Sequence, residues 1–234
     1  MKFGVIQFPG TCDELDALNA ARLVGDARLL WHADPRLHHV DAVIVPGGFS
    51  YGDYLRAGAI ARFAPVMDSV IAFAREGGLV LGICNGFQIL CEANLLPGAL
   101  LVNANRRFTF RQVNLDVIRP HTPFTRACPP ATADGDSEQP IRLSIPAKHS
   151  CGRYYADEPT LDAIEARGQV VLRYAPGENF NGSLRDIAAV SNQAGNVLGL
   201  MPHPEHAVHE LLGGSADGLC LFRSMSLALD ADAT

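Results

Sequence analysis

The chain has 234 residues, 48% of them hydrophobic and 19% charged, which is enough apolar content for one sizeable core and rules out a disordered or low-complexity polypeptide. Lys and Arg number 19 against 25 Asp and Glu, and the resulting formal charge of −6, with no basic block to offset it, argues against nucleic acid as a partner. Met1-Lys2-Phe3-Gly4 lacks the pattern of a secretory signal and no apolar run reaches membrane-spanning length, so no membrane is expected and the cytoplasm is the expected location. Six cysteines stand at 12, 84, 91, 128, 151 and 220 with no C-x-x-C pair, which reads as free thiols in a reducing compartment. No repeat or linker divides the chain, and one domain over 1–234 is expected.

In chain order, Phe3-Gly4-Val5-Ile6-Gln7-Phe8 reads as a strand closed by Pro9-Gly10. Thr11 and Glu14 have capping-box spacing before a helix through Leu15, Leu18 and Leu23 to Gly25. Arg28-Leu29-Leu30-Trp31 and Asp41-Ala42-Val43-Ile44-Val45 read as two further strands, the second ended by Pro46-Gly47-Gly48. Strand, helix, strand in this rhythm predicts a parallel α/β sheet, in which ligands sit beyond the carboxyl ends of the strands. The loop from Gly47 to Arg56 is rich in glycine and aromatics; it lacks the P-loop order, and its glycines can bring a backbone N–H close to a substrate oxygen. A helix is expected over 60–75.

Leu79-Val80-Leu81-Gly82-Ile83 then reads as a buried central strand, and Phe87 to Ala93 has helical composition. Cys84 falls between them in the spacing G-x-C-x-G, formed by Gly82 and Gly86, the cysteine version of a nucleophile elbow. A helix N-terminus at that point favours thiolate. A buried structural cysteine is the competing reading, because short motifs also occur by chance.

Beyond Asn103 the pattern is less regular. Asn105-Arg106-Arg107-Phe108 with Arg111 reads as a solvated basic face, Val113 to Val117 as a half-exposed strand, and 127–140 as a mobile loop. Ile141 to Ile145 alternates again, and Lys148 to Tyr154 reads as a polar turn. Val197-Leu198-Gly199-Leu200-Met201 is an apolar strand that runs into Pro202-His203-Pro204-Glu205. The two prolines forbid helix, and in an extended segment Glu205 lies on the side of His203 and can hold its tautomer. That is the base-and-orienter half of a triad in the order Cys, His, Glu. A rival reading makes His203, His206 and His209 metal ligands with Glu205 or Glu210; Pro204 inside the set and the lack of any zinc spacing count against it.

With the cysteine elbow, the Gly-Gly loop and Pro-His-Pro-Glu in this order, the sequence resembles the class I (triad) glutamine amidotransferases. Within that family it is similar to the glutaminase subunits that serve a separate ATP-dependent synthetase of purine biosynthesis. The residues that carry the resemblance are Pro46 to Ala61, Leu81 to Gln88, Asn181-Gly182-Ser183 and Gly199 to Glu205, and it extends over nearly the whole chain. The chain departs from the family pattern at Cys151, where an acidic residue is usual, at His206, where arginine is usual, and before Cys12, where one residue is missing.

The resemblance implies a three-layer α/β/α fold with a mostly parallel open sheet, flavodoxin-like. It implies Cys84 as nucleophile, His203 as acid and base, and Glu205 as its orienter. The N–H groups of Gly48 and Asn85 would face the oxyanion and Gln88 would hold the substrate glutamine. No metal and no cofactor are expected in this chain; ATP and Mg would be used by a large synthetase subunit, with a small third subunit also in the complex. The ammonia released would convert formylglycinamide ribonucleotide to the amidine. The loop at 47–58 is expected to be placed by docking of that partner. Two other readings are a stand-alone cysteine hydrolase and a catalytically dead regulatory subunit.

Overall fold

The computed structural model describes residues 1–128 and 140–231. The expected mobile loop at 127–140 lies almost wholly outside the described residues. The first strand, β1 (Lys2–Gln7), is followed by α1 (Glu14–Arg22), β2 (Asp26–Trp31) and β3 (Ala42–Val45). Next come α2 (Pro65–Arg75), β4 (Leu79–Ile83), α3 (Asn85–Glu92), β5 (Ala99–Leu101) and β6 (Thr109–Val117). β7 (Arg142–His149), β8 (Arg153–Tyr155), α4 (Glu158–Ala166), β9 (Val170–Tyr174), β10 (Ile187–Ser191), β11 (Val197–Leu200), α5 (Glu210–Gly213) and α6 (Leu219–Ala231) complete the order.

Nine strands form one sheet in the order β2-β1-β3-β4-β11-β10-β9-β6-β7. From β2 to β11 every pairing is parallel, and from β11 to β7 every pairing is antiparallel. The fold is thus the expected α/β class, and its parallel half carries the elbow. All residues of β3, β4 and β11 are buried, as a strand with neighbours on both edges and helices on its faces requires. Their carboxyl ends, with that of β1, bring the segments after Gln7, Val45, Ile83 and Leu200 to one edge of the sheet.

Several local expectations are corrected. Thr11 does not cap α1: its hydroxyl accepts from the Phe8 N–H (2.9 Å), and Asp13 takes the N-cap position. Leu15 and Leu23 are exposed, and α1 packs through Ala17, Leu18, Ala20 and Ala21. The helix expected at 60–75 begins at Pro65, where the missing proline N–H costs nothing, and a 3₁₀ turn over Ala61–Phe63 precedes it. Lys148 and His149 are the end of β7 and not part of a turn. The six cysteines are not all free: Cys128 and Cys220 are joined as a disulfide, their Cα atoms 4.9 Å apart across 92 residues of sequence, a spacing that favours a bond no sequence pattern announces. Among the described residues, no helix is long and apolar enough to cross a membrane.

A close backbone approach lies at the elbow. A Cβ on Gly86 would overlap the carbonyl oxygen of Val45, so α3 starts in contact with the backbone of β3. Gly86→Ala should therefore destabilise the chain by about 1–3 kcal/mol, the usual cost of overpacking. A urea midpoint that falls at constant slope would bear this out, and an unchanged midpoint would contradict it.

Candidate active site

Cys84 is the hinge between β4 and α3. Its φ of 50° and ψ of −104° lie in a region that costs a non-glycine residue about 1–3 kcal/mol. The turn aims the side chain out of the strand; the residue is 7% exposed, and the sulfur lies 3.9 Å from the Lys148 carbonyl oxygen. Gln88 follows one turn later on the same face of α3.

His203 and Glu205 follow β11, the parallel neighbour of β4. The His203 Nδ1 lies 2.6 Å from Glu205 Oε1, as expected, but the route differs. Pro204–His206 forms a 3₁₀ turn and not an extended segment, so Glu205 reaches the ring by curling back. Both residues are buried. Burial alone would lower the His203 pKa; the Glu205 carboxylate and then the Cys84 sulfur more than offset it, and the net value is raised to about 10. The His203 Nε2 is buried and makes no hydrogen bond of full geometry, which leaves it free for a reacting group.

The segment around Gly48 is held more firmly than the sequence suggests. Gly48 pairs with Thr11 in an isolated antiparallel bridge, flanked by Phe49 N–H to Gly10 O (2.9 Å) and Cys12 N–H to Gly47 O (3.2 Å). In such a bridge the central N–H points away from the partner strand, which turns the Gly48 N–H off the Thr11 side. Gly48 has φ +149°, and a Cβ there would fall 2.6 Å from the Cys12 nitrogen, so only glycine fits. Asn85 supplies the first N–H of α3, which has no partner within the helix. Its side chain ties the same loop down: Oδ1 accepts from the Ser50 N–H (3.0 Å) and from the Ser50 hydroxyl, and Nδ2 donates to Gln88 Oε1 (2.8 Å). Gln88 in turn donates to the Cys151 carbonyl at 2.6 Å. The loop expected to await a partner is therefore pinned from 47 to 50; Tyr54 and Leu55, 74% and 90% exposed, are its free part.

Cys84, Gly48, Gln88 and His203 line one cavity of about 80 Å³, together with Cys12, Asp13, Asp53, Lys148, His149 and Cys151 among others. A larger cavity of about 610 Å³ between α3 and α4 contains none of these residues, so chemistry and not size identifies the site. The Asn181-Gly182-Ser183 motif stands behind it: Asn181 Nδ2 donates to the Gly152 carbonyl (3.0 Å) and so buttresses the turn after His149.

Three residues of the site escaped the sequence reading. Asp13 is buried, with Oδ1 2.5 Å from Lys148 Nζ. His149 is 3% exposed, its Nδ1 3.0 Å from Asn103 Oδ1 and its Nε2 without a partner. Lys148 belongs to β7, whose alternation was visible only as far as Ile145. For Asp13 no local signal pointed to the site, since the capping-box spacing assigned the cap position to Thr11.

The three-histidine metal reading is not assembled, because His209 caps α5, accepting from the Leu211 N–H at 3.3 Å. A different group does converge: one atom each from Asp13, His203, Glu205 and His206 lies within 4.8 Å of the others. The Lys148 ammonium already stands at that cluster as its cation.

Burial, then the nearby His203 charge, lowers the His149 pKa from 6.5 to about 3. Between those values the unfolded chain binds a proton that the folded chain does not. The contribution is intact above pH 6.5 and is lost as the pH falls toward 3, by up to ~1.4 kcal/mol per pH unit. His149→Gln should accordingly flatten the fall of unfolding free energy between about pH 6.5 and 4.5 relative to the parent chain. Equal slopes would contradict a buried neutral imidazole.

Against known proteins, the model of the CobB/CobQ-like glutamine amidotransferase domain matches residues 1–214. The phosphoribosylformylglycinamidine synthase subunit PurQ of Mycobacterium tuberculosis (strain H37Rv) is 57% identical over 98% of this chain and 97% of its own. PurQ of Corynebacterium jeikeium is 54% identical over 96% of both chains. A chain in the solved structure of PurLQS from Thermotoga maritima superposes with a TM-score of 0.84 at 40% identity, covering 97% of this chain and 98% of that one. The chain belongs to the CobB/CobQ-like glutamine amidotransferase family, in the branch of the phosphoribosylformylglycinamidine synthase PurQ subunits.

Proposed function

We propose that this chain is the glutaminase subunit of a phosphoribosylformylglycinamidine synthase. It hydrolyses glutamine and supplies ammonia to a large synthetase subunit, in a complex with a small third subunit. The observation that carries the chemistry is the 2.6 Å contact of Glu205 with His203 Nδ1, which leaves Nε2 free in the cavity that also holds Cys84. Membership in the PurQ branch and the likeness to a PurLQS chain support the choice of synthase. No cofactor is assigned to this chain; ATP and Mg belong to the synthetase subunit, and the cytoplasm is the proposed location.

The reaction follows from the residues. Cys84 as thiolate adds to the side-chain carbonyl carbon of glutamine, and the oxyanion meets the N–H groups of Gly48 and Asn85, each worth roughly 10²–10³ in rate. The imidazolium of His203 protonates the nitrogen, the C–N bond breaks, and ammonia leaves a glutamyl thioester. His203 then takes a proton from water, which attacks the thioester; the C–S bond breaks and glutamate departs. Proton transfer by a positioned group contributes about 10²–10⁴-fold. Glu205 holds the Nδ1–H tautomer and favours the charged ring at both stages. Gln88, bonded to Asn85 and to the Cys151 carbonyl, fixes the wall against which the substrate lies.

Cys84→Ala in the assembled complex should abolish synthesis from glutamine and leave synthesis from ammonium salts intact. Retained use of glutamine would overturn the nucleophile. Glu205→Gln should keep the fold and lower glutamine turnover by roughly 10²-fold, within the range for acid–base assistance. An unchanged rate in a folded variant would mean that another residue orients His203.

A further inference from the structure

Asp13 stands at the N-cap of α1, where an aspartate ordinarily accepts a hydrogen bond from a first-turn N–H. It makes no such bond. Its carboxylate is turned inward, 4% exposed, and faces the back of His203. Oδ2 lies 3.7 Å from His203 Nδ1, the nitrogen that Glu205 holds at 2.6 Å. Oδ1 lies 2.5 Å from Lys148 Nζ and 3.3 Å from His206 Nε2. The backbone closes over this contact: a Cβ on Gly47 would fall 2.5 Å from Asp13 Oδ2 and 2.8 Å from His203 Cε1. A residue that forgoes its cap to bury a charge beside the base has its interactions directed at the site.

We propose that Asp13 is a positioning residue of the glutaminase reaction, a second carboxylate behind His203 that works with Glu205 to hold the ring in its charged form. The inference rests on Cys84, His203 and Glu205 being the catalytic triad. The charged and titratable groups around the His203 ring are Glu205, Asp13, His206, Lys148, His149 and Cys84. With the thiol and all three imidazoles neutral, two carboxylates against one ammonium leave a single negative charge, which a proton on His203 neutralises. Without Asp13, the Lys148 ammonium would stand near the imidazolium with only Glu205 to balance both. Lys148 also links the pair to the nucleophile, since its own carbonyl oxygen is the group 3.9 Å from the Cys84 sulfur.

The test is the pH dependence of glutamine kcat/KM in the complex assembled from the full chain, the synthetase subunit and the small subunit. The alkaline limb reports loss of the His203 proton. Asp13→Asn removes one stabilising charge, so this limb should move to lower pH by about 1 unit, with kcat falling about 10-fold and KM changing little. Asp13→Glu should restore the limb at least in part. Lys148→Met removes the cation that competes for Asp13, so its limb should move the other way, to higher pH. An unmoved limb in a folded Asp13→Asn, or movement of both variants in the same direction, overturns the proposal. Should Asp13→Asn fail to fold, the Lys148→Met limb decides alone: a rise supports the role and no rise overturns it. Cys84→Ala run alongside keeps the two readings apart. Glutamine use retained there sinks the triad itself, whereas its loss with an unmoved Asp13→Asn limb sinks only the role of Asp13.

Discussion

The backbone of Cys84 is the constraint on which the site depends. A left-handed residue between a buried strand and a helix is unfavourable by itself, and it persists because its surroundings leave no alternative. β4 is fixed on both edges by parallel pairing to β3 and β11, and α3 is fixed by the contact of Gly86 with the Val45 carbonyl. The strain is therefore held by the centre of the sheet and not by the loop around it. Once Cys84 is placed, the neighbours of β4 determine what can reach it: Gly48 from the end of β3 on one side and His203 from the end of β11 on the other.

Behind Cys84 lies a buried set of charges that would be costly as isolated groups. Asp13, Lys148 and the pair His203 and Glu205 come from three separate segments, and each charge is tolerated because another compensates it. Burial tends to raise the Asp13 pKa, but hydrogen bonding from His206, the His203 charge and Lys148 bring it well below the ordinary carboxylate range. Lys148 shows the converse: burial disfavours its charge, and Asp13 first, then Glu205 and Cys84, raise its pKa. Because Asp13, His203 and Glu205 are buried, these interactions are strong, and they are in place without a ligand. The histidines divide the work, with His203 favoured as a cation and His149 kept neutral beside it.

What was legible in the sequence was local. The elbow around Cys84 and the Pro-His-Pro-Glu segment each encode their geometry within a few residues, and the run of β4 marked it as a central parallel strand. Glycine and proline carry such information because they act on the backbone directly. What was not legible depends on long-range partners: Asp13 meets Lys148 across 135 residues and His206 across 193. Thr11 looked like a helix cap because its spacing to Glu14 fits one; the Phe8 N–H competes for the same hydroxyl and wins. The 3₁₀ turn at Pro204 shows a related limit, since proline excludes the α-helix interior and says less about a single tight turn. The antiparallel half of the sheet was only partly visible, because β9 and β10 are short buried runs without alternation.

Glutaminase chemistry requires that the fold activate one thiol among several lining a single cavity. Cys12, Cys84 and Cys151 all face it, so competition between them is the direct measurement. The complex should be treated with a chloroketone analogue of glutamine and the labelled peptides mapped by mass spectrometry, with and without excess glutamine. Label on Cys84, protection by glutamine and strong slowing in His203→Asn are the expected results. Label on Cys12 or Cys151 with Cys84 left free, or labelling of Cys84 that glutamine does not slow, would contradict it.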